Sequence, residues 1–144
     1  MEIQGILGYM LNVCARLIKR EMDSHLESYN ITTAQWAVLK LLDTKEQLTQ
    51  TEIASELSGD KATAGEVIFR LCEKKYLEKK QDTRDRRAYV VTLTPKAKDM
   101  VKDIEKMADE VTEKALKDLN NEDMQVLYKS LNKIIINLSG EEKP

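Results

Sequence analysis

The amino-acid sequence predicts a mainly α fold with one small β hairpin, and three observations predict it. Apolar residues recur at helical spacing over most of the 144 positions. Only one stretch, "AYVVTL", alternates like a strand, and it has a short partner in "YLEKK". A third of the residues are charged and 5% are aromatic, a balance that suits solvated helix faces and not a β sandwich. The length fits about one domain.

The first helix is read from Ile3, Ile6, Leu7, Met10, Leu11, Cys14, Leu17, Ile18 and Leu26, and it ends near Asn30, a residue that tolerates a left-handed backbone. Thr32 stands three residues before Gln35, and Thr49 three before Glu52. Both pairs are capping boxes, so helices are expected over about residues 33–42 and 50–57. "SGD" then breaks the chain, and Asp60 caps a fourth helix. In that helix Ala64, Val67, Ile68 and Leu71 form the inward face. Ala62, Glu66, Phe69 and Glu73 lie opposite, flanked by Thr63 and Arg70. On the second strand Tyr89, Val91 and Leu93 share a side. Thr94 caps a long helix that begins at Pro95, where a missing N–H costs nothing. Its seam is Ala97, Val101, Ile104, Ala108, Val111 and Ala115, and Leu119 ends it. A last amphipathic helix carries Met124, Leu127, Leu131, Ile134, Ile135 and Leu138.

Helix, turn, helix, strand, charged loop, strand is the order of a winged helix-turn-helix. The fold class is therefore mainly α with a small β wing: a winged helix-turn-helix with long N- and C-terminal dimerisation helices. One domain spans residues 1–144, with a DNA-binding lobe over 32–94 and a dimerisation lobe from 1–30 and 95–144. The net charge of −2 is unevenly placed: about −4 over residues 1–60, about +4 over 61–87 and about −2 over 94–144. A basic segment on an acidic body is where a polyanion should sit. The wing loop "QDTRDRR" crowds three arginines and two aspartates together. Held out on a hairpin, those arginines can reach phosphates or a narrow minor groove. The fourth helix is placed to enter a major groove.

"DRRAYVVTLTPKAK" resembles the wing motif of the MarR-type (multiple antibiotic resistance) transcriptional regulators, with Asp85, Arg87, Leu93 and Thr94 in register. "LTQTEIASELSGDKATAGEVIFRLCEKKYLEK", "NITTAQWAVLKLL" and "LNNEDMQVLYKSLNKI" resemble the family's remaining elements in order. The resemblance implies a homodimeric, sequence-specific DNA-binding regulator, each subunit binding half of an inverted repeat. Repression is expected, because such a dimer can occlude a promoter without further contacts. Two-fold symmetry places the half-sites about 34–36 Å apart. Apolar stripes at both ends of the chain, larger than one small lobe can bury, point to an interface independently. Carried over by residue, Arg87 enters the minor groove with Asp85 holding it. Arg84 and Arg86 meet phosphates, Thr63 donates to a phosphate or base edge, and Lys61 and Arg70 contact phosphate or base. This chain departs from the family in having Gly65 and Glu66 where Thr-Arg is common, Phe69 at a polar position, and Tyr76 and Ala97 where glycine is usual. Glu66 can accept from a cytosine amino group or pair with Arg70, and Phe69 can touch a thymine methyl or pack on the wing.

Many members release DNA when a small aromatic or anionic effector binds. Here Met10, Cys14, Leu17 and Trp36 are the candidates, with core packing as the competing reading. Peroxide-sensing members carry an early cysteine where this chain has Gly8, so thiol sensing is not expected. Cys14 and Cys72 read as buried thiols of a reducing compartment. The first residues lack signal-peptide features, and no apolar run is long enough to span a membrane, so a cytoplasmic protein is expected. His25, the one histidine, reads as a surface or interface residue, and no metal site is expected. No glycine-rich phosphate loop, nucleophile elbow or Cys–His constellation is present, so no catalytic residue and no cofactor are expected. The alternative function is a protein-interaction module that keeps the fold without binding DNA, for which Glu66 and Glu73 are the support.

Overall fold

The computed structural model describes residues 3–57 and 60–140, with side chains from Gly5 onward. Among these lie six helices and three strands: α1 (Ile3–Ser28), α2 (Thr33–Lys45), β1 (Gln47–Thr49), α3 (Gln50–Glu56), α4 (Lys61–Glu73), β2 (Leu77–Gln81), β3 (Tyr89–Leu93), α5 (Pro95–Ala115) and α6 (Asn121–Ser139). The predicted break at "SGD" falls partly on Ser58 and Gly59, which lie outside the described residues, as does the side chain of Ile3. The chain forms two compact units, Met1–Asp109 and Glu110–Pro144.

The helix starts follow local chemistry. Thr32 accepts from the Gln35 N–H at 3.1 Å while the Gln35 amide oxygen accepts from the Thr32 N–H at 3.1 Å. Thr49 and Glu52 repeat the exchange at 3.1 and 3.0 Å. Each box satisfies two N–H groups that a helix start leaves unpaired. Thr94 Oγ1 accepts from the Ala97 N–H at 3.2 Å and donates to the Lys75 carbonyl at 2.9 Å, tying the start of α5 to the end of α4.

The ends of α1 and α4 share one device. Asn30 (φ 57°) and Lys75 (φ 64°) are left-handed. The next N–H in each case reaches back five residues: Ile31 to Leu26 at 3.1 Å, Tyr76 to Leu71 at 3.0 Å. This is the Schellman stop. The position that asks for glycine after α4 is thus Lys75, one residue before the expected Tyr76.

The sheet is antiparallel in the order β1-β3-β2. The sequence reading found β2 and β3 and missed β1. Leu48 of β1 lies opposite Val91, which faces Lys79 of β2 on its other side. Of the three residues read onto one side of β3, Val91 and Leu93 are buried. Tyr89 is exposed instead, and Val90, assigned to no face, is buried.

In the first unit the largest fully buried side chains are Leu26, Val38, Leu39, Leu42, Ile53, Ile68, Leu71, Val101 and Ile104. Each buried leucine or isoleucine contributes roughly 1.5–3 kcal/mol. Of the expected α5 seam, Ala97, Val101 and Ile104 are buried in the first unit and Val111 in the second, while Ala108 is half-buried and Ala115 is exposed. The helix stops at Ala115, four residues before the predicted Leu119, through a turn in which Asp118 is left-handed (φ 72°). α6 has no buried residue, and Leu138 is 85% exposed. On α1, Leu7, Tyr9, Met10, Leu11, Leu17 and Ile18 are exposed. Cys14 is exposed as well, which corrects its expected burial, because it lies on that same uncovered helix.

Candidate nucleic-acid interface

α4 is built to show one face. Ala64, Ile68 and Leu71 are buried, and Lys61, Ala62, Thr63, Glu66, Phe69, Arg70 and Glu73 are exposed. Its start is fixed by Asp60, whose carboxylate accepts from the Thr63 N–H at 2.7 Å and the Thr63 hydroxyl at 2.8 Å. The two Thr63 bonds, the backbone one first, hold the Asp60 carboxyl below its ordinary pKa. The Thr63 hydroxyl proton is therefore already given to Asp60, and donation to a ligand requires it to turn away.

The exposed face is charge-balanced. Arg70 lies 3.0 Å from Glu66 and 3.5 Å from Glu73. The helix-surface pairing of Glu66 with Arg70 is thus present in the free protein. Phe69 is 53% exposed and stands outside the core cluster.

α3 sets the position of α4. Gln50 Nε2 donates to the Lys61 carbonyl at 3.0 Å, and Gly65 passes directly beneath that amide. This close approach gives a physical reason for glycine at position 65.

The wing loop consists of two successive Asp-x-Arg units, "DTR" and "DRR". In each, the aspartate Oδ1 accepts the N–H two residues on at 3.0 Å: Arg84 to Asp82, and Arg87 to Asp85. These are Asx turns, which let a short loop reverse without glycine. Asp82 also donates its N–H to the Ala88 carbonyl at 2.9 Å, and the Gln81 side chain donates to the Arg86 carbonyl at 2.7 Å.

The two units then diverge. Arg87 is 93% exposed in its side chain, with Asp85 Oδ1 3.5 Å from its Nε. Asp82 is buried, and Arg84 forks onto it, Nε donating to Oδ1 and Nη2 to Oδ2, each at 3.2 Å. The same Nη2 donates to Glu52 Oε1 of α3 at 3.3 Å. The Arg84 fork, followed by its N–H, pulls the Asp82 carboxyl below its ordinary pKa, and Asp82 and then Glu52 push the Arg84 guanidinium up. Arg86 is exposed. Sequence reasoning missed Asp82, Glu52 and Gln50; the doubled Asp-x-Arg spacing was the available signal for the first.

The effector candidates are dispersed in exposure. Met10, Cys14 and Leu17 are exposed on α1, and Trp36 is half-buried against the core. They line neither of two open clefts in the first unit. One, of about 400 Å³, runs from Asp23 and Glu27 to Lys74; the other, of about 440 Å³, runs from Asp43 and Glu46 to Lys80 and Lys98. Burial pushes the Cys72 thiol up. Among the described residues no group of three His, Cys, Asp or Glu side chains could share a metal ion, and no helix is long and apolar enough to cross a membrane.

Comparison with known proteins adds three findings. Residues 31–89 match the family model of the MarR family. The chain is 32% identical over 119 residues to the uncharacterized HTH-type transcriptional regulator YwoH of Bacillus subtilis (strain 168), covering 83% of this chain and 86% of that one. Among solved structures, a MarR transcriptional regulator from Methanosarcina mazei superposes with a TM-score of 0.81 at 26% identity, over 92% of this chain and 96% of that one. A mutant MarR from E. coli complexed with operator DNA superposes at 0.78 with 22% identity, over 90% and 93%.

Proposed function

Because this chain belongs to the MarR family of transcriptional regulators, we propose that it is a homodimeric, sequence-specific repressor that sets α4 into the major groove and the wing into the adjacent minor groove of each half of an inverted repeat. One observation carries this reading: Arg87, 93% exposed in the loop of a hairpin, is pre-oriented by Asp85. An arginine held this way loses less rotamer freedom on entering a groove, and a narrow minor groove attracts its charge.

Lys61, Thr63, Glu66 and Arg70 are the α4 residues within reach of base edges and phosphates, and Arg86 is the wing's backbone contact. The apolar residues left bare on α1 and α6 fit a dimer interface, since exposed patches of this kind mark association surfaces. Met10, Cys14, Leu17 and Trp36 are the candidates for a small aromatic or anionic effector. The relatives are regulators and the protein is not an enzyme.

Selection of bound sites from random duplex DNA, with and without phenolic ligands, tests the reading. An inverted repeat with half-sites one helical turn apart is the expected product. Failure of the wild-type chain to retain duplex DNA at low ionic strength sinks it and favours a protein-interaction module.

A further inference from the structure

We propose that Arg84 is a positioning residue: by bridging Asp82 at the neck of the wing and Glu52 in the first turn of α3, it sets the spacing between the wing tip and α4, and thereby between the minor- and major-groove contacts. The inference rests on the DNA-binding reading above and assigns Arg84 a role different from the phosphate contact that the family resemblance implies.

The geometry supports this in three ways. First, the two Asp-x-Arg units make the same Asx turn but face different partners. Arg87 points to solvent, whereas all three contacting nitrogens of Arg84, its backbone N included, are engaged by carboxylates. Arg70 also meets two carboxylates, but both lie exposed on its own helix, whereas Arg84 ties a buried carboxylate of the wing to a different element. Second, Asp82 is buried, and removing Arg84 would strand its charge, so the fork on Asp82 is a durable contact. Third, the first turn of α3 holds both DNA-facing elements. Gln50 binds the Lys61 carbonyl at the start of α4, and Glu52, two residues on, binds the wing. Glu52 itself is immobilised by the capping box, its Oε1 accepting from the Thr49 N–H at 3.0 Å. The Arg84–Glu52 contact closes a loop of 32 residues in sequence, with α4 and β2 inside it.

The test measures affinity and its salt dependence for the duplex selected by the wild-type chain. Glu52→Gln keeps a capping-box side chain while removing the charge that holds Arg84. Arg84→Lys keeps the positive charge while losing the planar fork. The positioning role predicts that each weakens binding about tenfold with the salt slope unchanged, and that the double variant is no weaker than either single one. It also predicts faster hydrogen exchange at wing residues 81–88 in the free variants. A phosphate role predicts the opposite sign for Glu52→Gln, near-normal binding for Arg84→Lys, and a slope reduced by about one in Arg84→Ala. Any of those three results overturns the proposal, as does unchanged affinity in Glu52→Gln. If the wild-type chain selects no duplex, the DNA-binding reading fails and the spacing role fails with it. The exchange data then show separately whether the bridge orders the wing.

Discussion

A Cβ placed on Gly65 would lie 2.7 Å from Nε2 of Gln50, the same amide that donates to the Lys61 carbonyl. The first turn of α3 and the second turn of α4 are therefore in contact through a position that only glycine fills without displacement. Gly65→Ala pushes the amide aside. The lost hydrogen bond costs about 0.5–1.5 kcal/mol, and alanine returns about 0.5–1 kcal/mol of helix propensity. The expected net change in unfolding free energy is within about 1 kcal/mol. Gln50→Ala should add nothing further in the Gly65→Ala background, since its bond is already gone. Urea denaturation of the two single variants and the double variant checks this, and fully additive losses would count against the contact.

Lys75 occupies the left-handed stop of α4 with a side chain that strains there. Lys75→Gly removes the Cβ clash and is expected to stabilise the protein by about 0.5–1 kcal/mol. The comparison is the urea midpoint at fixed protein concentration. A loss of stability would mean that the Lys75 side chain makes a contact worth more than the strain.

Arg87→Ala is expected to weaken DNA binding and lower the magnitude of the log–log salt slope by about one. Asp85→Ala should weaken binding less and leave the slope nearly intact, because it frees the arginine without deleting its charge. Fluorescence anisotropy from low to moderate salt distinguishes the two, and identical slopes in all three proteins would refute the wing-tip assignment.

Leu138, 85% exposed on α6, is the sharpest probe of self-association. Burying one leucine contributes roughly 1.5–3 kcal/mol, so if α6 lies in the proposed dimer interface Leu138→Glu should weaken self-association at least about tenfold. Sedimentation at several concentrations measures this, with far-UV circular dichroism to show that the helices persist. Unchanged sedimentation would place the interface elsewhere.

Stability should fall on acidification. Asp23, Glu52, Asp60 and Asp82 all have carboxyls held below their ordinary values, 3.8 for aspartate and 4.5 for glutamate. For Asp23 the leading cause is Lys19, for Glu52 and Asp60 the backbone N–H groups of Thr49 and Thr63, and for Asp82 the Arg84 side chain. A depressed native pKa contributes stability that is fully present above the unfolded-state value and is lost as pH drops through the native one. The unfolding free energy should be level with respect to these groups above about pH 5 and decline below it. Asp82→Asn should make that decline shallower in urea titrations at several pH values.

The local devices were legible in the sequence, and the distant ones were not. Thr32 with Gln35, Thr49 with Glu52 and Asp60 with Thr63 each act within three residues, so spacing alone revealed them. β1 escaped because it has three residues and exists only through pairing with Thr92, Val91 and Val90, more than forty positions away. The Arg84–Glu52 bridge escaped for the same reason. The end of α5 was misplaced because Leu116 and Leu119 continue the apolar spacing past the left-handed Asp118 that breaks the helix. At the candidate interface, the residue types on α4 and the Glu66–Arg70 pairing were readable from spacing, while the second contact of Arg70, to Glu73, required the side-chain geometry.

The sheet order leaves β1 and β2 with one unpaired side each. One margin is only three residues long, and the other displays Glu78, Lys79 and Lys80 to water. A foreign strand adding to the first would find few backbone groups, and one adding to the second would have to desolvate charges. The sheet is therefore a poor template for the addition of a foreign strand at either margin.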